Sequence, residues 1–294
     1  MEAMGRHVSW PRGAVVAGVS LVGPFTPEQP DEFIWQVPSG YRQGRGAWGG
    51  LVLAGIVRAV EVRLRGDDRL AESEVRSVAG VMAGPLLEGP ATVRTRVVRS
   101  GSSVHSFAVE LANSDGVLAT SAIVVAASAR KTTADIGGEG WQFEADEVVR
   151  AALAAGVPDG PALDSGEQGP EFLRQLEVRP LQGFPGEQRP RATIATWLTL
   201  RDAPTEGDAA WLAAMTDACW PNALVGTDGT RPLATVSFQA ELIADPRELD
   251  PREPLLHIGR SLGARSGYVS EARELWSATG QLVARCDQLV AVIK

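Results

Sequence analysis

The sequence predicts an α+β fold in which one unit, a long helix followed by a four-strand antiparallel meander, occurs twice. Three observations predict it: helical segments over 48–66 and 208–220, four β-like runs after each, and short motifs recurring in the same order in both halves. Two antiparallel sheets are expected, each wrapping one long helix. A lone unit would expose half its helix and a sheet edge, so the two units should join edge to edge.

The first helix is read from WGGLVLAGIVRAVEVRLRG. Leu53, Ile56, Val57, Val60 and Leu64 recur at helical spacing, Arg58, Glu61 and Arg65 fall on another face, and Gly66 is placed as the stop. Four β-like runs follow at 75–83, 91–99, 104–112 and 117–127, divided by Gly84-Pro85, Gly89-Pro90, Ser100-Gly101 and Asn113-Ser114-Asp115-Gly116. Upstream, Arg6 and Arg12 precede an apolar run at 14–23 that resembles a secretion signal. The run is rich in valine and lacks a small-residue cleavage site, so it is read as an opening strand.

Residues 131–175 are rich in Gly, Asp, Glu and Pro, with one helical piece near 145–155, and are read as a linker running along the outside. The domains expected are therefore 1–130, the linker 131–175, and 176–294. In the second half a β-like stretch at 191–200 leads to the helix 208–220, with Asp208 as N-cap and Pro221 as the stop. Runs at 233–243, 255–262, 268–276 and 281–293 complete it. Arg99-Ser100-Gly101 recurs as Arg265-Ser266-Gly267, and Glu110-Leu111 as Glu274-Leu275. Asp115-Gly116-Val117-Leu118-Ala119 matches Thr279-Gly280-Gln281-Leu282-Val283, and one two-residue gap in the hairpin aligns all three. Gene duplication leaves this pattern.

Composition excludes several classes. A net charge of -8 disfavours a nucleic-acid partner, which needs a basic face. No run reaches the roughly 18 apolar residues of a membrane span. Cys219 and Cys286 form no CxxC or Cys/His pattern, and His7, His105 and His257 are scattered, so no metal or other cofactor is expected. The two cysteines fit a reducing, cytoplasmic compartment.

The small-residue helix entry Trp48-Gly49-Gly50, the strand Leu233-Ala234-Thr235-Val236-Ser237, the hairpin from Leu275-Trp276 to Gly280, and the last strand through Asp287-Gln288 stand in a telling order. In that order and spacing the chain resembles the tandem double hot-dog acyl-CoA thioesterases, the type II medium-chain family and its relatives, from about Phe33 to Val292. The resemblance implies an acyl-CoA substrate, hydrolysis to free acid and CoA, a homodimer or larger assembly, and a site of Asp, Thr and Gln in the second unit. The matching positions are Asp217, Thr235 and Gln288. The first unit carries Val124 where Gln288 aligns, so one site per chain is implied.

These residue types suit the chemistry. A carboxylate can orient a water and accept its proton, while a hydroxyl and an amide fix that water's direction. Developing oxyanion charge needs N–H donors, for which Gly49 and Gly50 at the first helix's N-terminus are candidates. Taken alone, Asp217 also reads as a paired core acid and Thr235 as an ordinary strand residue. Gln288 is less ordinary: it and Asp287 interrupt an apolar strand and point to opposite faces, so one of them must face inward. Both cysteines read as core, lacking a nearby base, and His105 as a core or surface residue. Trp35, Trp48, Trp211 and Trp220 flank the helices, as core packing or as walls of an acyl tunnel. Arg42, Arg45, Arg189 and Arg191 are candidates for the CoA phosphates.

Two rival readings remain. One is a non-catalytic acyl-CoA-binding module, against which the three polar residues speak. The other is a hot-dog hydratase or dehydratase, which would need an Asp/His pair.

Overall fold

The computed structural model describes residues 21–29, 31–130, 143–166, 169–189, 192–229 and 231–293. β1 (Phe25–Gln29), β2 (Glu32–Val37), the two-residue β3 (Arg42–Gln43) and β4 (Gly46–Ala47), and α1 (Gly49–Arg65) lead into β5 (Glu74–Met82), β6 (Gly89–Ser100), β7 (Val104–Asn113) and β8 (Leu118–Ala127). After α2 (Glu147–Ala155) come β9 (Leu176–Gln182), β10 (Thr193–Leu200), α3 (Ala209–Met215) and α4 (Ala223–Gly226). The chain ends with β11 (Leu233–Leu242), β12 (Leu255–Arg265), β13 (Tyr268–Trp276) and β14 (Leu282–Val292).

Strands and hairpins follow from local chemistry. The turns at Gly116 and Gly280 hold φ of 82° and 85°, a left-handed conformation that glycine adopts without a Cβ penalty. They occupy the same place in the two β-hairpins β7–β8 and β13–β14, as the repeated motifs predict. β1, β2 and β9 extend the meander beyond the runs read from sequence. Of the opening strand expected at 14–23, residues 14–20 lie outside the described residues, and Leu21 and Val22 form a turn.

The sheets of the two units join edge to edge into one, as expected, while the expectation of a long helix in each unit is corrected. Twelve strands form one continuous sheet in the order β1-β2-β6-β7-β8-β5-β11-β14-β13-β12-β10-β9. The halves meet where β5 and β11 pair antiparallel, with Ala79 opposite Gln239. The order therefore reads outward from that seam alike in both directions. The second helix is short, seven residues against seventeen in α1. Its end is set by three groups. Pro221 has no N–H to give the Asp217 carbonyl, and the indole of Trp48 donates to that carbonyl instead, at 2.7 Å. The Thr216 hydroxyl donates to the Ala213 carbonyl at 2.7 Å, and Thr216, Asp217 and Ala218 all donate to carbonyls three residues back. The last turn is thus a tight three-residue winding.

α1 is buried nearly all round, as a helix between two protein layers must be. It packs on β5 to β8 and against α3, which packs on β11. The two helices run antiparallel: Gly50 lies against the Ala214 carbonyl near the end of α3, and Arg58 pairs with Asp208, the N-cap of α3. A second, smaller core lies on the outer face of the sheet. There Val149 and Ala152 of α2, within the expected linker, cover Ala195, Trp197, Leu256, Ile258 and Trp276.

Candidate functional site

The tight turn after α3 projects the Asp217 side chain into the space between the helices and the sheet. It is 6% exposed. On β14, Gln288 is buried at 4% while its neighbour Asp287 faces out and pairs with Arg285 at 2.9 Å. The Gln288 amide donates to Oδ1 of Asp217 at 2.8 Å, and the Thr235 hydroxyl donates to Oε1 of Gln288 at 3.1 Å. Thr235 is half-buried, at a bulge between β11 and β14, and closes the line of three toward the surface. The structure thus brings Asp217, Gln288 and Thr235 into one hydrogen-bonded chain.

Gly49 and Gly50 play different parts. A methyl on Gly49 would sit 2.5 Å from Oδ2 of Asp217, so the start of α1 lies directly against the carboxylate. The positive end of the α1 dipole favours a negative charge there. The N-cap Trp48 offers no side-chain bond to the first turn. Gly50 is a packing contact, since a methyl there would meet the Trp48 ring and lie 2.5 Å from the Ala214 carbonyl.

Sequence reasoning missed two site residues. Arg273 is 2% exposed and bridges two carboxylates: Nη1 to Oδ1 of Asp217, and Nη2 to Oε2 of Glu271 at 3.1 Å. Glu271 is fully buried, and its Oε1 accepts from the Ala223 N–H at 2.9 Å. Burial raises the Asp217 pKa, opposed by the Arg273 charge and by its hydrogen bonds. Charges on both faces of β13, Glu271 and Arg273 on one and Glu274 on the other, are the only signal the sequence carried.

Other candidates are placed elsewhere. Cys219 and Cys286 are buried thiols whose pKa values burial pushes up to about 12 and about 11, far from thiolate character at neutral pH. His105 is buried and bonded to the Ser100 hydroxyl at 3.0 Å. The four tryptophans are buried; Trp48 stacks on Phe172 at 5.0 Å and Trp35 on Phe25 at 5.6 Å. Arg42 pairs with Glu171 at 2.8 Å and Arg189 with Glu187 at 2.6 Å. Arg191 lies outside the described residues.

His257 is buried with neither ring nitrogen bonded among the described residues. Burial, helped by the Arg273 charge, pushes its pKa from 6.5 down to about 3. In the unfolded chain it binds a proton below its ordinary value, so its contribution to stability is complete above 6.5 and lost as pH falls from there toward 3. His257→Leu should remove that loss. Urea unfolding of both proteins at pH 7 and pH 5 should show the variant gaining about 2 kcal/mol relative to wild type on acidification. An unchanged difference would contradict the assignment.

The first half lacks the polar set. In β11 and β14, Phe238 faces Gln288 and Thr235 faces Val290; in β5 and β8, Val78 faces Val124 and Val75 faces Ala126, with a bulge in the same place. Val75 and Val124 therefore stand where Thr235 and Gln288 stand. A cavity of about 450 Å³ does open at that end, lined by Ser73, Val75, Arg58, Glu61, Asp208 and Ala209 among others, with Val75 in the place of Thr235. A cavity of about 270 Å³ adjoins the entry to α1, lined by Tyr41, Arg42, Arg45, Gly46, Ala47 and Leu86 among others.

Comparison with known proteins agrees with this duplicated plan. Residues 37–129 match the acyl-CoA thioesterase N-terminal domain, and residues 151–292 the acyl-CoA thioesterase C-terminal domain. Among solved structures, a hot-dog-fold protein of unknown function from Alicyclobacillus acidocaldarius is 24% identical with a TM-score of 0.76, over 92% of this chain and 96% of that one. A tesB protein from Mycobacterium avium subspecies paratuberculosis is 15% identical with a TM-score of 0.69, over 92% and 96%. Acyl-CoA thioesterase II from Mycobacterium marinum is 17% identical with a TM-score of 0.64, over 92% and 94%. At such identities these likenesses show the shared hot-dog fold. No curated protein matches the sequence. No described helix is long and apolar enough to cross a membrane. Matched in each half by the corresponding domain of one enzyme family, the chain belongs to the acyl-CoA thioesterases of double hot-dog type and is a thioester hydrolase.

Proposed function

We propose that the protein hydrolyses acyl-CoA to free acid and CoA with a water positioned by Asp217, Gln288 and Thr235. The observation that carries this reading is the hydrogen-bonded line of these three side chains beside the N-terminus of α1. A thioester carbonyl lying at Gly49 would meet the uncapped first-turn N–H groups and the positive end of the α1 dipole. Asp217 takes a proton as the water oxygen bonds to the carbonyl carbon. The oxyanion of the tetrahedral intermediate rests on α1 N–H groups, Gly49 first and Gly50 second. Its collapse breaks the C–S bond, and the proton held by Asp217 goes to the departing sulfur.

A raised pKa suits this role, because a base works best when its pKa lies near the working pH. The cavity at the α1 entry, with Arg42 and Arg45 on its wall, is the approach for the CoA end. A hydratase reading would need a histidine beside Asp217, and neither described histidine bonds to it. On this reading the units 1–130 and 176–294 are the repeated domains, the chain assembles as a homodimer or larger, and it works in the cytoplasm. Light scattering that found only a 31.1 kDa species would remove the assembly.

The functional test is steady-state release of CoA thiol from a panel of short- to long-chain acyl-CoA substrates. Turnover on part of the panel supports the reading, and binding of acyl-CoA without thiol release would leave only a binding module. Within the site, Thr235→Val and Gln288→Ala should each lower kcat by ~10-fold, less than loss of the carboxylate. Their double variant should fall short of the product of the two effects, because both act on one water. Fully multiplicative losses would show that the two side chains act independently.

A further inference from the structure

We propose that Arg273, anchored by Glu271, is the positioning residue that decides which oxygen of Asp217 reacts. It holds Oδ1 together with Gln288, so that Oδ2, the oxygen against Gly49, takes the proton from water. The inference rests on the hydrolytic reading above and adds the reacting atom and the group that sets its basicity.

The geometry is specific. Oδ1 receives two donors from two adjacent strands, the guanidinium from β13 and the amide from β14. Two such bonds at one oxygen fix the rotation of a carboxylate about its Cβ–Cγ bond. They turn the other oxygen toward the start of α1, where the substrate carbonyl has to lie. The guanidinium is held in turn, since its second nitrogen bonds Glu271 at 3.1 Å and Glu271 bonds the Ala223 N–H at 2.9 Å. A planar fork suits this bridging, and a lysine ammonium could not span both acids in the same way.

The charges point the same way. The ionisable groups around Asp217 are Glu271 and Arg273 on β13, Cys286 on β14, His257 on β12 and Cys219 on its own turn. Both thiols and the imidazole are neutral at pH 7, which leaves two acids sharing one cation. Buried charges cost stability unless well paired, and apolar residues could fill the same space at no loss. A cluster with an excess acid is a poor device for stability and a good one for keeping one carboxylate basic.

The test compares kcat/KM against pH for wild type, Glu271→Gln and the double variant Glu271→Leu/Arg273→Met, on one good acyl-CoA substrate. Glu271→Gln removes the competing acid, so the whole Arg273 charge acts on Asp217 and the acid limb should move to lower pH. The double variant fills the space with apolar groups and is expected to fold. It should lose ~10–10²-fold in kcat as Oδ1 is released, and its acid limb should move to higher pH. A folded double variant with wild-type kcat and an unmoved limb would overturn the proposal, and so would a Glu271→Gln limb that stays put or moves up. If the double variant does not fold, the direction of the Glu271→Gln shift decides. Asp217→Asn separates the two levels. Full turnover by that variant removes the hydrolytic reading, whereas an inactive Asp217→Asn beside unmoved Glu271→Gln and double-variant profiles removes only this inference.

Discussion

Asp217→Asn is expected to lower kcat by at least ~10²-fold, with KM changed by no more than a few-fold. The substitution keeps the shape and an acceptor oxygen at Oδ1 for Arg273 and Gln288, and it removes the negative charge and with it the capacity to take a proton. Stability should move the other way. Burial raises the Asp217 pKa, so its ionised form is disfavoured in the folded protein, and the cost grows as pH rises through the raised value. With asparagine the buried cluster holds one acid and one cation in place of two acids and one cation. The variant should therefore melt no lower than wild type at pH 7, while turning over slowly. Thermal melts and CoA-release assays on one preparation check both halves. A variant that is inactive because it melts far below wild type would give Asp217 a structural role only.

The second large effect concerns the glycine pair at the start of α1. Gly50→Ala should destabilise the protein by about 2–3 kcal/mol, because its methyl meets the Trp48 ring and the backbone of α3. A backbone carbonyl cannot rotate away as a side chain can, so the two helices would have to move apart. Gly49→Ala meets a different neighbour, since only the Asp217 carboxylate stands 2.5 Å from its methyl, with Met82 further off at 3.7 Å. That variant should keep most of its stability and lose ~10²-fold in kcat, because a displacement of about 1 Å at a catalytic group has effects of that size. Chemical denaturation and kinetics of both variants would separate the Cα that packs against α3 from the Cα that faces the Asp217 carboxylate. Equal stability losses for the two would contradict the distinction.

Much of this was legible in the sequence, and the rest fails for identifiable reasons. The strands β6 and β7 follow period-two patterns, and the repeated turn motifs fall at the same hairpins in the two halves. Asp217, Thr235 and Gln288 could be named from their motifs, and the odd polar pair Asp287-Gln288 announced that one member faces in. The end of α3 was not legible: the Trp48 indole that captures the Asp217 carbonyl lies 169 residues away in sequence. Pro221 bars the helix from continuing, but the winding tightens from Thr216, through a side-chain bond that no periodicity reveals. Nor could Arg273 and Glu271 be found. Along β13, Val269, Glu271, Arg273 and Leu275 share one face, while Ala272, Glu274 and Trp276 share the other. Each face mixes charged and apolar residues because α2 covers part of the outer one. Which charges are buried is decided by packing between distant segments.

In the proposed mechanism a proton passes from water to Asp217 as the thioester is attacked. Single-turnover hydrolysis of a good acyl-CoA substrate in H2O and in D2O, on the pH plateau, tests it most directly. Turnover of the wild-type enzyme should be slower in D2O, because the transferred proton is in flight in the transition state. Equal rates in the two solvents would contradict it, as would an acylated enzyme accumulating during that turnover, which would make Asp217 a nucleophile.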